Sequence, residues 1–123
     1  MNFTPDMNDG HTLFVFGSNE AGLHAGGAAR EAKTHWGARE EQGFGAAGAS
    51  FAIPTMDWQL EPLPLATIHF YVERFIEFAR LRPYTRFLVT AIGTGICGYS
   101  AAEIAPMFKD APNNCVLPDG WRT

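Results

Sequence analysis

Six consecutive residues, Gly93-Thr94-Gly95-Ile96-Cys97-Gly98, carry the clearest chemical potential in this chain. Three glycines in six exceed what a tight turn needs. A backbone without Cβ atoms lets a ligand reach its N–H groups directly. The loop follows Phe87-Leu88-Val89-Thr90-Ala91-Ile92, an uncharged, β-branched run that reads as a buried strand. Ser100, a good N-cap, then opens Ala101–Lys109 as a helix. Strand, glycine loop and helix start together aim free N–H groups and the positive end of a helix at one point. Such a point suits a phosphate or another anion.

A second glycine loop follows the first apolar run. Thr12–Phe16 (TLFVF) reads as a strand ended by Gly17, and Gly26 to Trp36 reads as a helix. Between them lie Ser18, Asn19 and His24. Asn19 is either a ligand contact or a cap. His24, four residues from Glu20, is either a general acid or a ribose donor, or else a solvent-facing loop residue. Glu31, one turn inside the helix, is either a base or an exposed charge. Cys97 has no histidine beside it in sequence, which favours a packed thiol over a nucleophile. His35 and His69 fall on helices as structural or exposed residues. Tyr99 and Phe44 are aromatic candidates for the rim, with core packing the alternative. No spacing of His, Cys, Asp and Glu suggests a metal site, and no cofactor is expected.

The elements that must position these loops alternate. Ser50–Ile53 is a short strand halted by Pro54, and Arg39–Ala49 before it reads as a glycine-rich loop. Pro64 opens a helix to about Arg80 in which Leu65, Ile68, Val72, Phe75, Ile76 and Ala79 recur at helical spacing. Cys115-Val116-Leu117 is a last strand. This alternation predicts an α/β fold, a three-layer α/β/α sandwich with a mostly parallel sheet. Right-handed crossovers give the strand order fourth-third-first-second. The first and third strands are then neighbours whose loops diverge to opposite faces, a switch point at which open sheets place ligands. The two glycine loops are those loops. Residues 1–11 read as an N-terminal tail and 12–123 as a single domain.

The totals restrict the partners. With 46% hydrophobic and 18% charged residues, the chain is globular. Its formal charge of −4, without a Lys/Arg run, argues against duplex nucleic acid. Two cysteines make no disulfide framework, and thiols in a reducing compartment are expected. The first residues lack a signal-peptide pattern, and no uncharged stretch reaches membrane-spanning length. The expectation is a soluble, cytoplasmic protein that does not engage a membrane.

The same residues resemble the macro domain family. Ser18-Asn19 after an apolar strand, followed by Gly26-Gly27-Ala28-Ala29 at a helix start, is similar to that family's first loop. Gly93-Thr94-Gly95-Ile96-Cys97-Gly98-Tyr99 is similar to its second, and Ala52-Ile53-Pro54-Thr55 to the strand end between them. The likeness runs from Thr12 to Leu117, in a compact version of the pattern. It implies binding of ADP-ribose or a related NAD-derived nucleotide, and in some members hydrolysis of ADP-ribosyl bonds. By that resemblance Gly93, Thr94, Gly95, Ile96, Cys97, Gly98 and Tyr99 would embrace a diphosphate. Asn19 would sit near the distal ribose, and Gly17, Ser18, Gly26 and Gly27 would line the same cleft. Asp57, by its position after Pro54-Thr55 at the end of the second strand near the same rim, either accepts from a ribose hydroxyl or an adenine amino group or caps a turn. The alternative function is a hydrolase of ADP-ribosyl groups or ADP-ribose phosphate, in which Asn19 positions water and His24, Glu31 or Asp57 handles protons. An ADP-ribosylated protein is then a further possible partner.

Overall fold

A computed structural model describes residues 11–122; most of the expected tail, residues 1–10, lies outside the described residues. The sheet has five strands: β1 (Thr12–Asn19), β2 (Gly45–Ala47), β3 (Ser50–Met56), β4 (Arg86–Val89) and β5 (Cys115–Val116). Their spatial order is β2-β3-β1-β4-β5, parallel throughout except for β2. Leaving β2 aside, this is the order that right-handed crossovers predict. β1 and β4 are neighbours, paired from Thr12↔Arg86 to Val15↔Val89.

Alternation along the strands feeds two cores. Val15, Phe51, Ile53, Phe87 and Val89 pack under helix α2 (Leu65–Arg80), through its buried Ile68, Val72, Phe75, Ile76 and Ala79. The short helix α3 (Ala101–Ile104) and the 3₁₀ turn Ala105–Phe108 close the same face with Ile104, Met107 and Phe108. Phe16 and Ala52 face the other way, against Ala29 and Ala32 of helix α1 (Gly27–His35). There Phe14 stacks on Trp36 at 5.0 Å between ring centroids. Each fully buried Phe or Ile contributes about 2–3 kcal/mol of apolar burial.

Five expectations are corrected. The stretch read as a loop before Ser50 contains β2, an antiparallel edge strand masked by its glycines; Gly48 supplies the positive φ (+57) at the hairpin turn. β1 continues through Asn19, and β3 runs past Pro54 to Met56. Pro54 lies beyond the last residue that pairs with β2, so its missing N–H breaks no bond on that side. β4 ends at Val89 instead of Ile92: Thr90 N–H makes the last ladder bond, to the Val15 carbonyl at 3.0 Å, and Ile92 N–H then turns back onto the Thr90 carbonyl at 2.8 Å. The expected helix to Lys109 is one α turn followed by a 3₁₀ turn. Pro106 has no N–H to continue the helical ladder.

Candidate functional site

The carboxyl ends of β1, β3 and β4 converge at Gly17. A Cβ built there would stand 3.4 Å from Ile92 Cβ, 3.5 Å from Thr55 Cγ2 and 3.6 Å from the Gly93 nitrogen. The two glycine loops therefore start side by side. Beyond Ile92 the second loop is shaped by its own bonds. Gly93 and Gly98 take positive φ values of +75° and +88°. Thr94 Oγ1 donates to the Ala91 carbonyl at 2.7 Å, and Gly98 N–H donates to Gly95 O at 2.9 Å. Cys97 Sγ donates to the Thr55 carbonyl at 3.2 Å, and Tyr99 Oη to the Leu63 carbonyl at 2.7 Å. These two contacts tie the loop to the end of β3.

Among the described residues, the N–H groups of Gly95, Ile96 and Cys97 donate to no protein acceptor. Gly95 is exposed, and a Cβ there would meet nothing within 4 Å. Successive free amides beside open space form an anion cradle. The helix start does not take part as the sequence suggested. Ser100 Oγ accepts from Glu103 N–H, and Glu103 Oε1 accepts from Ser100 N–H at 2.9 Å. This capping box uses the Glu103 N–H of α3 and brings a carboxylate to the helix start, which disfavours an anion there. The free donors without a carboxylate beside them are those of the loop.

The first loop is held by its own side chains. Asn19 is buried; its Nδ2 donates to Leu23 O at 2.9 Å and its Oδ1 accepts from Leu23 N–H at 3.0 Å. Ser18 and His24 are also buried, with Ser18 Oγ 2.8 Å from His24 Nδ1. His24 Nε2 donates to the Arg39 carbonyl at 2.6 Å. The Lys33 ammonium and then the His24 backbone N–H, both hydrogen-bonded to Glu40, hold its carboxyl below the usual carboxylate range. Gly26 and Gly27 are exposed at the start of α1, with no side-chain cap and open space at both Cβ positions.

The remaining candidates are spread along the rim and beyond. Glu31 is exposed on α1. Asp57 caps a turn, its Oδ1 accepting from Gln59 N–H at 2.8 Å and Glu61 N–H at 3.0 Å. Ile96 is 88% exposed at the tip of the cradle. Burial pushes the Cys97 thiol up, which suits packing and not nucleophilic attack. Phe44 packs edge-on against Phe51 at 5.4 Å instead of standing free on the rim. Sequence reasoning missed Glu20, whose Oε2 accepts from Tyr71 Oη at 2.8 Å across 51 residues of chain. Burial first, and then that carboxylate, hold the Tyr71 phenol above its ordinary range. Two surface grooves, about 340 Å³ beside Phe78 and Arg82 and about 370 Å³ beside His69 and Lys109, include none of the glycine-loop or catalytic candidates, although Phe44 lines the first. The glycine-loop assignment thus rests on donors and not on a cavity.

Among the described residues no group of three or more His, Cys, Asp or Glu could hold a metal ion. No described helix is long and apolar enough to cross a membrane. The chain is an α/β protein with a mostly parallel five-stranded sheet and helices on both faces. No protein-family model, curated protein or solved structure matches it, so the likeness to macro domains rests on the sequence motifs.

Proposed function

We propose that this chain is a compact macro-like domain that binds ADP-ribose or a related NAD-derived nucleotide, its diphosphate held by the amides of Gly95, Ile96 and Cys97. The observation that carries the reading is Gly95. Neither a positive φ nor a crowding neighbour requires glycine there, and three unsatisfied N–H groups surround it. A ligand that approaches the backbone explains both. Gly26, at the uncapped start of α1, has the same unexplained openness. Backbone donors also suit an anion in a chain whose formal charge is −4.

Binding is preferred to hydrolysis because the candidate proton carriers are occupied or remote. Both ring nitrogens of His24 are bonded, the Asn19 amide organises its own loop, and Asp57 caps a turn. An ADP-ribosylated protein is the accompanying partner. A cytoplasmic setting would keep Cys97 and Cys115, both buried and unpaired, as thiols.

Calorimetric titration of ADP-ribose tests the reading. Saturable binding is expected for the wild type, with at least a fiftyfold loss in Gly95→Glu, whose carboxylate would fill the cradle while the circular dichroism stays unchanged. Equal affinity in the two proteins rejects the assignment.

A further inference from the structure

Beyond Met56, β3 continues into a small hairpin on the same carboxyl rim. Met56 bridges Pro62, Asp57 N–H donates to Glu61 O at 2.8 Å, and Leu63 N–H donates to Thr55 O at 2.9 Å. Asp57 Oδ1 locks the tip by accepting from two backbone N–H groups. Leu60 there takes φ +64°, a left-handed conformation that a leucine adopts only when its surroundings impose it. A loop this strongly bonded holds up Trp58 at 66% exposure. Among the described residues no aromatic ring pairs with Trp58, which leaves its indole accessible from solvent.

The root of this hairpin and the anion cradle share one atom. The Thr55 carbonyl accepts both from Leu63 N–H, at the hairpin root, and from Cys97 Sγ, in the cradle. From Thr55 to Trp58 the chain spans three residues, at most roughly 10 Å. A ribose can bridge a gap of that order. We propose that Trp58 is the stacking surface for the base of a nucleotide whose phosphates lie on the Gly95, Ile96 and Cys97 amides. This inference rests on the nucleotide reading above and adds to it the part of the ligand that carries an aromatic face. The hairpin backbone is already bonded, so stacking orders only the two side-chain torsions of the indole.

Wild type, Trp58→Ala and Trp58→Phe are titrated by calorimetry with ADP-ribose and with ribose 5-phosphate, which has no base. Trp58→Ala is expected to weaken ADP-ribose about tenfold and Trp58→Phe no more than about threefold, with ribose 5-phosphate unaffected by either. Saturating ADP-ribose should quench part of the wild-type tryptophan emission, and that part should be absent in Trp58→Phe. The stacking role is overturned if Trp58→Ala keeps ADP-ribose affinity within twofold of a wild type that binds, or if both probes weaken equally. A wild type that binds neither probe removes the nucleotide reading and the stacking role together.

Discussion

Ser18 Oγ lies 2.8 Å from His24 Nδ1, with both residues buried at the end of β1. The tautomer follows from the third partner. The Arg39 carbonyl, 2.6 Å from Nε2, can only accept, so Nε2 carries the hydrogen. In the neutral ring the Ser18 hydroxyl then donates to Nδ1. The histidine bolts the first glycine loop to residues 39–43, where Glu41 N–H donates to Gly22 O at 2.9 Å.

Removing this bolt should be costly. His24→Ala leaves a buried hydroxyl and a carbonyl without partners and opens a void, which predicts a loss of about 3 kcal/mol. Ser18→Ala, which removes one bond and little volume, should cost about 1 kcal/mol. Urea unfolding measures both. A His24→Ala midpoint equal to that of wild type would show that the relay contributes nothing to the fold.

Gly43, just before β2, and Gly95, in the second glycine loop, should respond differently to alanine. A Cβ at Gly43 would stand 2.1 Å from the Asn19 carbonyl oxygen. Backbone cannot yield to that, so Gly43→Ala should destabilise by about 3 kcal/mol. Gly95→Ala has open space and should stay within about 0.5 kcal/mol of wild type. Comparable melting losses for both would contradict the packing of residues 41–43 against Asn19.

Alkaline pH should expose the buried thiol of β5. Burial pushes Cys115 up to about 11, against the opposing pull of Arg122. An unfolded thiol titrates at about 8.5. Between those values the native state keeps a proton that the unfolded chain releases, so stability is complete below about 8.5 and declines as pH rises towards 11. The expected loss at the upper end is roughly 3 kcal/mol. Denaturant titrations of wild type and Cys115→Ala at pH 8 and pH 10.5 isolate it, because the contribution of Tyr71, also held up, cancels between the two proteins. A wild-type slope no steeper than that of the variant would refute the assignment. At pH 8 both native thiols should resist iodoacetamide and react only after unfolding.

Residue order alone carried the features that depend on near neighbours. The spacing of Ile68, Val72, Phe75, Ile76 and Ala79 specifies the buried face of α2, because a helix repeats every 3.6 residues whatever lies against it. The alternation of strands and helices, with a strong preference for right-handed crossovers, was enough to set β1 beside β4 and the two glycine loops side by side. β2 stayed hidden because Gly45, Ala46 and Ala47 have low strand propensity; it exists only because β3 offers it a partner.

Other features were decided by contacts between residues far apart in the chain. His24 looked like a loop residue free to move protons, but Arg39, fifteen positions later, folds over it and uses its second nitrogen. The Thr55 carbonyl meets Cys97 across 42 residues, and that single meeting puts the cradle next to the hairpin of Trp58. Hydrogen bonds and burial act through space, while periodicity acts along the backbone. The sheet could therefore be read from the order of residues, whereas which polar groups remain free to hold a ligand was decided by the tertiary fold.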